Sequence, residues 1–211
     1  MKDKTKYKYS IIIPCYDATE FDFRRCLDSI KTQTIQPYEV ICVDDASPTE
    51  TPKIAIEYGY KYIRHEVNLN NGGARNTGIK EATGDYLIFV NSDDYILPET
   101  IEEIDKANNG EDLIIIGFQS FGSSELGYIP NENNTPNLSL LGWYGEPMHI
   151  VNRKFLIDNN LFELENVALA DKDWTPRLEK AIRTYNYVPK ALYMYQVGHE
   201  SSLLTKMYKR R

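Results

Sequence analysis

Apolar residues along this chain come in short blocks, and the early blocks each stop on polar side chains. Tyr9-Ser10-Ile11-Ile12-Ile13-Pro14 reads as a first strand, ended by its proline. From Phe21 to Thr34 the apolar positions Phe23, Cys26, Leu27 and Ile30 follow helical spacing. Tyr38 to Val43 predicts a second strand that ends in Asp44-Asp45-Ala46-Ser47. A helix over Thr51 to Tyr58 closes at Gly59, and Tyr60 to Arg64 makes a short third strand. Asn68 to Gly78 reads as a glycine-bearing turn leading into a helix that ends near Ala82. The central strand, Asp85 to Val90, stops abruptly on Asn91-Ser92-Asp93-Asp94. A helix from Pro98 to Ala107 and a strand from Asp112 to Phe118 complete the regular half.

The pattern then loosens. Gln119 to Leu141 is rich in Gly, Asn and Pro and reads as a long loop, a feature often functional in compact domains. Arg153 to Asn160 and Asp173 to Ile182 predict helices, with Pro176 tolerated only in a first turn. Val188 to Val197 carries the last strand, Ala191-Leu192-Tyr193-Met194-Tyr195. Strand–helix alternation of this kind predicts an α/β fold with a largely parallel central sheet flanked by helices. Ligands of such sheets bind outside the carboxyl ends of the strands. Tyr16 and Asp17, Asp44 and Asp45, and Asn91 to Asp94 should therefore converge on one site.

Composition narrows the classes. With 211 residues the chain can fold as one domain with a real core. A formal charge of −7 argues against nucleic acid as a partner, which calls for a basic face. No apolar run reaches the roughly eighteen residues of a membrane span. The basic start, Met1 to Lys6, lacks the apolar core of a secretory signal, so a cytoplasmic protein is expected. Lys206, Lys209, Arg210 and Arg211 read as a solvated end, with weak peripheral contact to an anionic membrane as the alternative. Cys15, Cys26 and Cys42 show no metal-ligand spacing and read as buried thiols. Sixteen tyrosines offer a sugar-stacking surface, although packing accounts for most of them.

Asp93 and Asp94 carry the first chemical signal. Adjacent carboxylates at the end of a buried strand repel unless something positive neutralises them. A divalent cation, Mg²⁺ or Mn²⁺, arriving with a phosphate group is one solution. A simple loop-and-cap role is the other.

With those residues laid out, the chain resembles the family 2 glycosyltransferases of the GT-A fold. Ser10-Ile11-Ile12-Ile13-Pro14-Cys15-Tyr16 is similar to the family's first strand and turn, with Asp17 where Asn is usual. Val43-Asp44-Asp45-Ala46-Ser47 resembles the second-strand motif that holds a nucleotide base. Gly73-Ala74-Arg75-Asn76-Thr77-Gly78 resembles the family's Ala-Arg-Asn-x-Gly turn, and Asn91-Ser92-Asp93-Asp94 falls at its DxD motif. Four motifs in order over residues 9 to 95 make the likeness specific. Beyond them, Val151 to Phe162 is similar to a helix before the acceptor side, Asp171-Lys172-Asp173-Trp174 falls at the Glu-Asp pair, and Tyr193-Met194-Tyr195 with Ser201-Ser202 is similar to the closing pattern. Only 119 to 147 goes unmatched.

The resemblance implies one GT-A domain over 1–211, with a donor half at 9–118 and an acceptor half at 119–211. It implies an inverting transfer of sugar from a nucleotide diphosphate, UDP-sugar by preference, to a hydroxyl on a carbohydrate or lipid-linked acceptor. Surface polysaccharide or glycoconjugate synthesis is the expected setting. By the same resemblance, Pro14, Tyr16, Asp17, Asp44, Asp45, Gly73, Arg75, Asn91, Ser92 and Asp94 line the donor site. Asp93 is the first choice as ligand to Mn²⁺ or Mg²⁺, and His199 the second. Asp173 is the first choice as catalytic base and Asp171 the second; their i, i+2 spacing lets only one face the acceptor. Asn91 stands where the family has an acidic residue, and Lys172 where it has glutamate. Trp174 could wall a sugar site or fill the core. His65 and His149 carry no sequence signal. Two other classes stay open. A nucleotidyltransferase would want a glycine-rich loop after strand one, and Pro14-Cys15-Tyr16-Asp17 is not one. A nucleotide-sugar-binding domain without turnover, dependent on a partner, is the other.

Overall fold

A computed structural model describes residues 5–122, 126–133 and 146–197. Among the described residues nine strands form one sheet: β1 (Tyr9–Cys15), β2 (Glu39–Asp44), β3 (Lys61–Arg64), β4 (Tyr86–Phe89), β5 (Tyr95–Ile96), β6 (Leu113–Gly122), β7 (Gly127–Tyr128), β8 (His149–Asn152) and β9 (Tyr185–Val197). Their order is β3-β2-β1-β4-β8-β6-β9-β5, with β7 hairpinned onto β6. The first four are mutually parallel, β8 enters antiparallel between β4 and β6, and β9 runs parallel to β6. Helices α1 (Glu20–Lys31), α2 (Ile54–Glu57), α3 (Asn70–Glu81), α4 (Thr100–Ala107), α5 (Arg153–Asp158) and α6 (Asp171–Ala181) flank it.

The parallel half follows from its sequence. β1 and β4 are buried at every position, which is why they read as near-continuous apolar runs. Ile11 lies between Val40 and Ile88, and Ile12 between Ile41 and Phe89. On α1 the Thr19 hydroxyl accepts from the Asp22 N–H at 3.1 Å and caps the helix. Phe23, Cys26, Leu27 and Ile30 then bury one face. β1 runs through Pro14 to Cys15; its pairing with β4 ends at Ile12, so the missing proline N–H leaves that ladder intact. All three thiols are free and buried.

Several elements differ from the sequence reading. The glycine-bearing turn is the first half of α3, which begins at Asn70. Gly78 permits its close approach to the sheet: a Cβ there would meet Ile12 Cγ2 at 2.3 Å. β6 extends through Gln119 to Gly122 and β7 follows, both inside the expected loop; 134–141 lies outside the described residues. β5 and β8 are too short to show a period. α6 starts at Asp171, two residues early, so Pro176 falls in its second turn and costs one helical hydrogen bond. Trp174 is a core residue, its Nε1–H donating to the Leu161 carbonyl at 2.8 Å. Among the described residues no helix is long and apolar enough to cross a membrane.

Candidate active site at the strand ends

At the end of β2 both aspartates are buried and engaged within the protein. Asp44 accepts from the Ser47 N–H at 2.9 Å, from the Tyr62 hydroxyl at 2.6 Å, and from Arg64. Burial pushes this carboxyl up, yet those donors together hold it below the usual range. Asp45 Oδ1 accepts from the Leu69 N–H and contacts His65 Nδ1, each at 2.8 Å. The far nitrogen of His65 meets Thr77 Oγ1 at 2.9 Å, so this histidine ties β2 to α3. Pro14 is buried at the end of β1 and Tyr16 is exposed. Asp17 takes a left-handed conformation, φ 52°, with its N–H on the Ser47 hydroxyl at 3.2 Å. The β1 and β2 turns are thus fastened to each other.

At the end of β4 the two adjacent carboxylates separate in kind. Asp94 is fully buried: Oδ2 accepts from the Tyr193 hydroxyl at 2.5 Å and the Asn91 amide at 3.0 Å, and Oδ1 from the Gln196 N–H at 2.7 Å. Burial, then the Asp93 charge, push its carboxyl well above the ordinary range despite these donors. Asp93 is partly exposed, and Ser92 is buried beside it. Behind the loop, Arg25 donates to the Asp93 carbonyl at 2.7 Å and to the Gln196 side chain, while pairing with Asp22 at 2.9 Å.

Across from this loop, Arg75 and Gly73 lie inside α3 rather than on a turn, both buried. Gly73 answers a packing need, since a Cβ there would sit 2.3 Å from Leu69 Cβ. The Arg75 guanidinium donates to Asn91 Oδ1 at 3.0 Å and pairs with Glu163 at 3.5 Å. Glu163 was invisible to sequence reasoning; a lone acid in an irregular segment has no period to betray it. It is buried, its Oε2 has no hydrogen-bond partner among the described residues, and burial raises its carboxyl against the opposing Arg75 charge. Asp171 belongs to this group: burial raises its carboxyl too, and Arg75 opposes the rise.

Asp171 lies within charge range of Arg75 and Glu163, whereas Asp173 is in direct contact with Arg177. Asp173 is held by a two-pronged contact from Arg177, at 2.8 Å from Nε and 2.6 Å from Nη2, on the partly exposed side of α6. It does not cap the helix; the N-cap is Ala170. The structure brings together Asn91, Asp93, Asp94, Arg75 and Glu163, with Asp171 beside them and Asp173 turned to Arg177. His199, Ser201 and Ser202 lie outside the described residues.

An α/β sheet with carboxylates and an arginine gathered at its strand ends has them where such folds place their ligand sites. The model of the family described as Glycosyl transferase family 2 matches residues 10–184, and the chain belongs to that family. The putative glycosyltransferase EpsH of Bacillus subtilis (strain 168) is 30% identical over 95% of this chain and 64% of its own length. The poly(ribitol-phosphate) beta-glucosyltransferase of Bacillus spizizenii is 43% identical over 44% of this chain and 16% of its own. Two crystal structures of S. aureus TarS residues 1-349, with UDP-GlcNAc and with UDP, superpose with TM-scores of 0.78 and 0.75. Their identities are 24% and 25%, covering 92% and 90% of this chain and 60% and 61% of theirs. The chain spans less than two thirds of each of these relatives.

Proposed function

We propose that the protein is an inverting glycosyltransferase that moves a sugar from a UDP-sugar to a hydroxyl of a carbohydrate polymer. The observation that carries this reading is the Arg75 bridge. One buried cation contacts Asn91 at the end of β4 and Glu163 before α6, so the expected donor end and acceptor end meet at one place. The UDP complex of TarS supports the nucleotide, and the B. spizizenii relative's printed activity supports a polymeric acceptor.

In this reading Asp171 is the base, ahead of Asp173. It belongs to the Arg75–Glu163 group, whereas Asp173 is occupied by Arg177. Asp171 takes the acceptor hydroxyl proton on a carboxylate oxygen. The freed oxygen bonds to the anomeric carbon from the face opposite the diphosphate, whose carbon–oxygen bond breaks, and the nucleoside diphosphate departs. Pro14, Tyr16, Asp17, Asp44 and Asp45 border the base and ribose. Arg75, Gly73, Asn91 and Ser92 border the phosphates.

Among the described residues no group of three or more His, Cys, Asp or Glu could hold a metal, and Asp94 spends its oxygens inside the protein. Such a donor set fits a cation that arrives on the diphosphate, since Mg²⁺ takes most of its ligands from water and substrate phosphate. Asp93 would hold it, with His199 the second candidate. When bound, the cation stabilises charge on the leaving diphosphate. The test is calorimetric titration of UDP with and without Mn²⁺ on wild type and Asp93→Ala. Manganese-dependent binding lost in the variant is expected. Silence with UDP, GDP and dTDP alike would remove the donor site.

A further inference from the structure

Asn76 is buried on α3 immediately after Arg75, and its amide is spent entirely on the far half of the chain. Nδ2 donates to the Glu163 carbonyl at 2.9 Å, and Oδ1 accepts from the Glu163 N–H at 2.9 Å. A side-chain amide here does what a neighbouring strand's backbone does in a ladder. Nδ2 also donates to Glu165 Oε1 at 3.2 Å, and the same segment touches α3 and its N-cap at further points. The Asn166 N–H donates to the Leu69 carbonyl at 2.9 Å, and a Cβ on Gly72 would stand 2.4 Å from the Leu164 carbonyl oxygen. On its other side the segment is bonded to α6, through Trp174 to the Leu161 carbonyl at 2.8 Å and Arg177 to the Phe162 carbonyl at 2.7 Å. Asn166 and Leu169 hold left-handed φ of 60° and 62°, a conformation kept only where the surroundings over-determine it.

We propose that Asn76 is a positioning residue for transfer: it locks residues 161–170 between α3 and α6 and so fixes where Asp171 stands relative to Arg75. The proposal rests on the reading of Asp171 as base. Without the amide, Glu163 loses both backbone partners and the segment slackens, while the strand ends that border the nucleotide keep their own bonds. A small misplacement of a reacting group is enough to cost much of a rate.

The experiment compares wild type, Asn76→Ala and Asn76→Asp in three measurements: UDP affinity, steady-state transfer, and hydrogen-exchange protection of the amides from Glu163 to Asp171. For Asn76→Ala, UDP affinity and donor KM should stay within about threefold while kcat falls about tenfold to a hundredfold. Protection across the segment should fall with it. The Asn76→Asp carboxylate can accept from the Glu163 N–H but cannot donate to its carbonyl. At pH 8 it should behave like the alanine variant, made worse by the facing Glu165 carboxylate; measured against wild type at the same pH, protonation of the new carboxyl should restore the donor and bring the protection ratio back towards one. An equal fall in UDP affinity and kcat would make the role merely structural and overturn the proposal, as would unchanged protection with unchanged kcat. Should Asn76→Ala fail to fold, Asn76→Ser carries the same comparison. Wild type that binds UDP but transfers to no acceptor counts against the functional reading, and protection still decides whether Asn76 holds the segment.

Discussion

The Arg75 guanidinium donates to the Asn91 side-chain oxygen at 3.0 Å, and the same amide donates onward to Asp94 at 3.0 Å. Asn91 therefore sits between a cation and a buried carboxylate and serves both, which an amide can do and a carboxylate cannot. An aspartate here would accept from Arg75 but place a second negative charge against Asp94. Arg75 already has Glu163, so the new pair adds little, whereas Asp94 loses a donor in a fully buried place. Asn91→Asp should cost about 1–3 kcal/mol of stability, the penalty for stranding a buried polar group. Urea unfolding at pH 7 measures it, and an unchanged or raised midpoint would show the bridge to be unimportant.

The two candidate bases make opposite predictions. Asp171→Asn should lower kcat by about 10²- to 10⁴-fold, the usual contribution of a general base. Asp173→Asn removes only a partly exposed contact with Arg177 and should leave kcat within about threefold. The pH profile has a definite sign. Burial raises the Asp171 carboxyl, Arg75 opposes, and the base works only when deprotonated. Transfer should therefore fall as pH drops through a value above the ordinary carboxylate range of about 4. A large loss in Asp173→Asn with little in Asp171→Asn would reverse the assignment.

These two residues also mark where sequence reading stops. Spacing tells that Asp171 and Asp173 diverge, but not which one faces Arg75, because that depends on how α6 docks through its buried Trp174 and Leu178. Strands β1, β2 and β4 were legible since burial on both faces leaves a bare apolar run. β5 has two residues and β8 four, too few for any period. Gly72 and Gly73 read as a turn because glycine weakens helices; tertiary contact with Leu164 and Leu69 explains them instead. Glu163, Arg25 and Gln196 gave no signal. Each acts through a partner more than sixty residues away.

Gly72 offers a direct test of that close contact. A methyl group there would stand 2.4 Å from a backbone oxygen and 3.1 Å from Glu163 Cβ, neither of which can swing aside as a long side chain does. Gly72→Ala should destabilise by about 1–3 kcal/mol, as overpacking does. At Gly59 a Cβ meets nothing within 4 Å among the described residues, and the cost of Gly59→Ala comes from φ of 75°, about 1–2 kcal/mol. Crowding and backbone strain are distinguishable by hydrogen exchange. Gly72→Ala should loosen Glu163 to Asp171, and Gly59→Ala should not.

His149 predicts an acid lability unrelated to the active site. It lies on β8 opposite Ile115, fully buried, with its ring 6.0 Å from that of Trp174. Among the described residues neither ring nitrogen has a hydrogen-bond partner, and burial lowers its pKa from 6.5 to about 3. The folded protein thus leaves this ring neutral until about pH 3, while the unfolded chain protonates it near 6.5. Between those values the unfolded state binds one more proton, so stability falls as pH falls, by about 1.4 kcal/mol per unit at full slope. The buried Asp44 also favours folding only when ionised, but its loss comes at lower pH because its carboxyl is held down. The raised carboxyls of Glu163 and Asp171 act oppositely, favouring the folded state as they protonate. All of these are common to wild type and His149→Leu, so the difference between their stabilities isolates the histidine. Urea unfolding at pH 7, 6, 5 and 4 should show the variant losing less stability at each step below 6.5. Parallel curves would mean that the ring finds a partner, or water, that lets it charge in place.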